Sequence, residues 1–377
     1  MNSSLMKFLL PVVLIVGVIA LIFGLSKSQS RYPQGTAVKI GASYALTGPI
    51  ASFGIEYRRG LELAADEINN SGGINGKKVE LIFEDDQGDT TKALQSVNKL
   101  INIDKVDYLF TAFSSPSQAT APIAEKNKII DISSTVDKVG TGNYVFRDYW
   151  DMTDQGAATG KATNKEGIKR LGVIALNFGD TQDFMTGLKS QTKAQIHEER
   201  FNFGDTDFKT QLSKIAAFNP DAILVYGFPG AEATKITQQI VELGLDNKRL
   251  FSGSTVYIFP FMTKPFATTL VKMGAIDTWY TPDSSNNKSK TFMDTYKTKY
   301  NEDVMGDAAY TYDDLYALKA AIEKSGNSAS TETIAHNLLQ TNLDGAGGTL
   351  TFDSKGNSMR HAVLRMYTTQ GWTPYNL

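Results

Sequence analysis

SGGINGKKVELIFEDD, residues 71–86, is where one periodicity hands over to another. Just upstream, YRRGLELAADEINN (57–70) places Leu61, Leu63, Ala64, Ala65 and Ile68 close to a helical period. Gly72 and Gly73 stop that helix, because glycine takes the left-handed C-cap conformation without a Cβ penalty. Asn75-Gly76 makes a tight turn, again through positive φ. Val79, Leu81 and Phe83 then alternate at period two, which predicts a strand.

This helix–turn–strand unit recurs on both sides. Strands are predicted at Val38–Tyr44, Val79–Glu84, Asp107–Phe113 and Lys128–Ser133, with helices at Ser52–Asn69, Thr90–Ile103 and Ser115–Asn127 between them and a short extended piece at Tyr144–Arg147. A second series follows, with strands at Leu171–Leu176, Ile196–Phe203, Ala222–Tyr226 and Arg249–Gly253. Two successive βα series imply an α/β chain of two doubly wound, parallel-sheet lobes. The remainder mixes helices (Lys288–Tyr300, Asp307–Lys324) with a strand and turn in GTLTFDSKGN and a hairpin in HAVLRMYTTQGWTPY, so the chain is expected to cross back between lobes. The divisions are 37–149 with 282–345 for lobe 1, and 150–281 with 346–377 for lobe 2.

The chain has 377 residues, 41% hydrophobic and 21% charged, ample for two cores. A net charge of −2 advertises no surface for nucleic acid. The absence of cysteine excludes disulfides, thiol catalysis and Cys-based metal centres. Phe8–Leu25, FLLPVVLIVGVIALIFGL, is uncharged and follows Lys7. Its length lies between a signal-peptide core and a membrane span, so residues 1–30 read as a cleaved signal peptide or an N-terminal anchor. Either way the body is expected to be exported, to the periplasm or another extracytoplasmic space.

In open α/β sheets ligands bind beyond the carboxyl ends of the strands. Three loops there carry hydroxyls or turn residues: ALTGPIASFG, with Thr47-Gly48-Pro49 in a turn and Phe53 near a helix start; FSSPSQAT, with Ser114 and Ser115 at a helix N-terminus; and ISSTVD, with Ser133, Ser134 and Thr135. Free N–H groups and hydroxyls there make a cradle for an anion, although any one such loop could simply cap a helix. Catalytic constellations are thin. His197, His336 and His361 have no metal-ligand spacing, no G-x-S-x-G elbow occurs, and GDTQDFMTG lacks the lysine and glycine spacing of a phosphate loop. No enzyme, metal or cofactor is expected. Asp85-Asp86 reads as a strand end that is solvated or caps the next helix, and Asp313-Asp314 as an exposed helix face.

VKIGASYALTGPIASFG (38–54), DEINNSGGINGKKVELIFEDDQGD (66–89), FSSPSQATAPIAEKNKIIDISST (113–135) and VFRDYWDMTDQG (145–156) resemble the exported solute-binding proteins of branched-chain amino acid ABC transporters, the type I periplasmic binding proteins related to the leucine/isoleucine/valine-binding protein. The resemblance implies a Venus-flytrap: two lobes joined by three crossovers, near Arg147–Asp151, Tyr280–Asp283 and Gly348–Phe352, closing on a ligand in the cleft. It further implies that Ser114 and Thr135 hold a ligand carboxylate, with Ser115 and Ser134 beside them. The Ser133 carbonyl takes an ammonium and Phe53 covers the ligand.

The second lobe departs from that pattern. Thr255 stands where family members for aliphatic amino acids place a carboxylate, and a neutral threonine cannot compensate a buried ammonium. Phe228 is the aromatic on offer, ALNFGDTQDF lacks the tyrosine-glycine pair, and Tyr149 and Trp150 fill a hinge that is commonly smaller. The expected ligand is thus a small amino acid-like molecule, an aromatic or other carboxylate, or an amide, delivered by a monomeric binding protein to the permease of an ABC importer. A membrane-tethered sensor ectodomain of the same fold is the alternative.

Overall fold

A computed structural model describes residues 37–254, 256–257, 260–279, 286–304 and 306–377. Residues 8–25, Thr255 and the expected crossover at 280–283 lie outside the described residues.

The 71–86 stretch folds as its chemistry dictates. Helix α1 (Ala51–Asn70) ends as Gly73 N–H donates to the Ile68 carbonyl at 2.8 Å. Gly72 and Gly73 take φ of 104° and 80°, and Asn75 and Gly76 follow at 50° and 78°. A Cβ on Gly73 would lie 2.1 Å from the Lys77 carbonyl oxygen, so glycine is required there by space as well as by φ. Asn69 then holds the new strand from both sides, donating to the Val79 carbonyl (2.9 Å) and accepting from its N–H (2.7 Å).

Strands β1 (Ala37–Tyr44), β2 (Lys78–Asp85), β3 (Tyr108–Ala112), β4 (Asp131–Ser134) and β5 (Val145–Arg147) form an all-parallel sheet in the order β2-β1-β3-β4-β5. Helices α2 (Thr90–Lys99) and α3 (Ser114–Asn127) supply crossovers. A second sheet has the order β14-β13-β10-β9-β8-β6-β7, from β6 (Arg170–Leu176), β7 (Gln195–Phe201), β8 (Ala222–Tyr226), β9 (Arg249–Gly253), β10 (Ile276–Trp279), β13 (Val363–Thr368) and β14 (Gly371–Tyr375). It is parallel up to β10, and the terminal hairpin adds antiparallel strands. Strand order reverses between β1 and β3 in one sheet and between β6 and β8 in the other, so each has a switch point at its carboxyl edge.

Three helices went unread in the sequence: α4 (Met152–Lys165), α8 (Pro260–Met273) and α11 (Thr331–Leu339). In α4 the reason is visible. It packs against α5 (Thr181–Gln191) backbone to backbone, with a Cβ on Gly156 falling 1.9 Å from the Phe184 carbonyl and one on Gly187 falling 1.9 Å from that of Thr153. Small residues replace the usual apolar ridge.

Helices α9 (Asn287–Tyr300) and α10 (Asp307–Ser325) return to the first body. Leu315, Leu318, Ile322, Leu350 and Phe352 share a core with Ile40, Ile68 and Phe110. Strand β12 (Gly348–Thr351), paired to β11 (Asn342–Gly345), is therefore part of the first body. The chain leaves that body after Phe352, later than the boundary at 345–346 and the crossover at Gly348–Phe352 read from sequence.

The first and last crossovers run side by side. Arg147 N–H donates to the Gly356 carbonyl at 2.8 Å, Ser358 N–H to the Arg147 carbonyl at 2.7 Å, and the Ser358 hydroxyl to the Tyr149 carbonyl at 2.8 Å. Here the reading of Asp313-Asp314 as an exposed face is overturned: both are buried, at 1% and 0% exposure. Asp313 accepts from the N–H groups of Ala346 (2.7 Å) and Gly347 (2.8 Å) and from Arg360 (3.2 Å), whose guanidinium also serves buried Asp148. A partner so distant in sequence leaves no trace in helical periodicity.

Candidate ligand cleft

The cleft is assembled from loops at the two switch points. After β1 the chain turns through Thr47-Gly48, and the Asp85 carboxylate ties the turn down, accepting from Leu46 N–H (2.9 Å) and the Thr47 hydroxyl (2.6 Å). Asp86 is buried, accepting from Ser43 Oγ (2.7 Å) and Gly88 N–H (2.8 Å), so this acid pair is turn architecture and Asp86 is not solvated. Gly54 lets α1 sit on the loop, since a Cβ there would be 2.0 Å from the Ala45 carbonyl oxygen. The preceding residue, Phe53, stands half-buried at the mouth of the cleft.

After β3, Phe113 has φ of 66°, a left-handed value that a phenylalanine holds only when its surroundings impose it. Its ring packs on Tyr57 at 5.8 Å, its N–H donates to the Ser134 carbonyl (3.1 Å), and its carbonyl accepts from Ser117 N–H (3.0 Å). The β3 and β4 loops are thus one unit. Ser114 and Ser115 open α3, where N–H groups have no intrahelical acceptor. Ser114 is half-buried and Ser115 exposed. Thr135 is buried, and its Oγ1 accepts from Asp137 N–H (3.3 Å), which leaves its own hydrogen free to donate. Ser134 Oγ is buried without a partner among the described residues.

Ser133 is placed differently from the sequence reading. Its hydroxyl donates to Ser117 Oγ at 2.6 Å, and its carbonyl accepts from Asp148 N–H at 3.1 Å. The hydroxyl thus ties β4 to helix α3, and the carbonyl takes the N–H of the residue just after β5. Tyr149 and Trp150 also take a hinge role. Their rings meet at 5.2 Å, both pack on Tyr310 (6.0 and 6.3 Å), and the Tyr149 hydroxyl donates to Asp307 at 3.3 Å.

The second body offers aromatics. Phe228, after β8, lies 5.3 Å from Phe178 and stacks on Phe203 at 5.7 Å. Across the cleft it meets Phe53 edge-on at 6.5 Å, so the two bodies touch through this pair of rings. Ser254, with φ of 61°, is held as its N–H donates to Gln155 Oε1 at 3.2 Å; its neighbour Thr255 lies outside the described residues.

One buried acid near the second switch point escaped the sequence reading. Asp180 follows β6 in NFGD, a run read for a phosphate loop and for a tyrosine-glycine pair but not for its acid. It is buried at 6% exposure and faces the Tyr226 hydroxyl. Burial pushes its carboxyl up to about 6, partly offset by Tyr226 and reinforced by the negative charge of Asp137 from the opposite body. The available signal was its position at the end of a switch-point strand.

Nucleophile–base chemistry does not converge here. His197 stacks on Phe218 at 5.4 Å, His336 pairs with Gln340 at 2.9 Å, and His361 is exposed near Asp154 at 3.6 Å. Among the described residues no cluster of His, Asp or Glu is arranged to hold a metal, and no helix is long and apolar enough to cross a membrane.

The model of the family described as "Periplasmic binding protein" matches residues 37–371. The chain belongs to this family. Among its relatives is the leucine-, isoleucine-, valine-, threonine- and alanine-binding protein of Pseudomonas aeruginosa, 27% identical over 334 residues, which cover 85% of this chain and 87% of that one. Among solved structures, the branched-chain amino acid transporter substrate binding protein LivJ of Streptococcus pneumoniae, in complex with isoleucine, is 27% identical with a TM-score of 0.75, covering 88% of this chain and 96% of that one. An ABC transporter solute binding protein from R. palustris, in complex with benzoate, shares the fold at a TM-score of 0.76 and 21% identity, covering 90% and 96%. This periplasmic binding protein is therefore of the branched-chain amino acid ABC transporter type, a class that binds and delivers solutes and is not enzymatic. Its two α/β bodies are the lobes of the type I fold.

Proposed function

We propose that this binding protein is exported, captures a small carboxylate-bearing solute between its lobes, and hands it to the permease of an ABC importer. The observation that carries the reading is the facing of two switch points. On lobe 1 the joined β3 and β4 loops offer the Ser114 and Thr135 hydroxyls, and across the cleft Phe228 of lobe 2 meets Phe53 of lobe 1. An anion suits the first surface, since helix N–H groups and hydroxyls there lack acceptors. An apolar body suits the second. The amino acids named for the relatives carry a carboxylate and, in most cases, an apolar side chain, which agrees with this division. In this reading the protein acts as a monomer.

Thermal-shift screening of amino acids, aromatic acids and amides tests the reading, because a ligand that binds only the native state raises its melting temperature. Ser114→Ala and Thr135→Val should each weaken binding of the carboxylate that emerges by about 1.5–3 kcal/mol, the worth of a hydrogen bond to a charged group. Isothermal calorimetry reads the difference. Unchanged affinity in both variants would remove the carboxylate from this cradle.

A further inference from the structure

We infer that Phe53 and Phe228 form a clasp that holds the lobes shut without help from a solute, and that Phe178 and Phe203 position its lobe-2 ring. The inference rests on the two-lobed capture proposed above and adds what governs release.

The lobe-2 rings come from three neighbouring strands. Phe178, Phe203 and Phe228 each stand two residues past the end of β6, β7 and β8, which adjoin in the order β8-β6-β7. The rings close a triangle. Phe178 meets Phe203 at 5.7 Å and 90° and Phe228 at 5.3 Å and 81°, while Phe203 stacks on Phe228 at 5.7 Å and 12°. These are separations at which ring pairs attract beyond their buried area. The simplest account, a satellite of the lobe-2 core, covers Phe228, which packs on that core. It does not cover Phe178 and Phe203, which stay 43% and 56% exposed. Their rings brace Phe228 from the solvent side.

Phe53 is fixed on the other lobe. It packs on the lobe-1 core, and Gly54 beside it seats the helix against the Ala45 carbonyl. Its ring meets Phe228 edge-on at 6.5 Å and 67°. Each partner is thus set by its own lobe, and their contact exists only while the cleft is shut. Free energy that belongs to the shut form alone shifts the equilibrium toward it, whatever lies between the lobes. Neither ring carries a hydrogen-bonding group, so the clasp asks nothing of the solute's chemistry.

The chain has no cysteine, so an introduced pair can carry spin labels without background. Thr91 and Thr206 are exposed, one on each lobe, beyond the carboxyl ends of β2 and β7. Both are changed to cysteine for double electron–electron resonance on the full chain, refolded free of solute. The label distances should fall into a long and a short set, the short one in on the order of a tenth of molecules or more. Phe53→Ala and Phe228→Ala should each lower the short-to-long ratio about 2- to 10-fold, the range for one aromatic pair. The double variant should lower it no further, because both changes remove the same contact. Phe203→Ala should lower the ratio only while Phe53 is present. Phe228→Leu keeps the loop packed and should still lose most of the effect; a ratio equal to that of the unmutated chain would overturn the clasp. So would losses that add in the double variant, the mark of a merely structural Phe228, or a refolded unmutated chain with no short distance. No solute enters the measurement, so failure of the clasp leaves the carboxylate cradle standing, and failure of the cradle leaves the clasp.

Discussion

Arg360→Met is expected to cost the fold about 3–5 kcal/mol, the usual penalty for removing one member of a buried ion network. Arg360 Nε donates to Asp148 at 2.8 Å and its Nη2 at 2.7 Å, while Nη2 also reaches Asp313 at 3.2 Å and Nη1 the Gly347 carbonyl at 2.5 Å. Its guanidinium carbon lies 4.7 Å from the centre of the Tyr310 ring. Methionine preserves much of the stem but leaves Asp148 and Asp313 buried without their cation. Asp314, in the same cluster, has its carboxyl pushed well up by burial and by Asp148. That is one reason a single guanidinium can serve the group. Urea unfolding measures the loss as a lower midpoint at unchanged slope. A change under about 1 kcal/mol would show that the network relaxes around the gap.

The melting temperature should fall by about 5 °C or more between about pH 6 and about pH 8.5, at a few degrees per kcal/mol. Burial pushes Asp131 and Asp277 up to about 7, and burial with the Glu56 charge pushes Asp307 up to about 8. Each folded value lies above the ordinary 3.8, so the fold favours the protonated acid. The stability these groups lend is complete below the ordinary value and is lost as pH rises through about 7 to 8. Groups pulled the other way act elsewhere. Glu332 is held at about 2 by its own backbone N–H and the Tyr144 hydroxyl, so its contribution is lost only in strong acid. The stability maximum therefore falls in mild acid. Asp307→Asn should flatten the alkaline side of the profile; a profile unchanged by that substitution would exclude Asp307 as a source.

Much of the lobe-1 half was legible in sequence because its determinants are local. Glycines at 72, 73 and 76 must take positive φ, period-two strands alternate with helical stripes, and hydroxyl residues sit where strands end. What stayed hidden depended on distant partners. Helix α4 shows no stripe because its contact surface is glycine against backbone. Asp313 reads as solvated until Arg360 arrives to cover it. Ser133 reads as a ligand contact, and only the fold shows that Asp148 N–H already shares its carbonyl. Asp180 was passed over because its loop was read for a phosphate loop and a tyrosine-glycine pair, and a lone carboxyl after a strand has no spacing signature.

On the proposed function, Arg147 would set the order in which a solute meets the two lobes. Its fully buried guanidinium donates to the carbonyls of Thr135 and Val136 on one side and of Tyr149 and Trp150 on the other. The loop after β4 is thereby welded to the first crossover as far as Trp150, and it keeps its shape however far the lobes part. A solute arriving from solvent would then meet a finished half-site on lobe 1, and its escape would depend on lobe 2. The rate of catch and the length of hold would thus be written in separate stretches of the chain, and mutation in the later stretch would tune retention without slowing encounter.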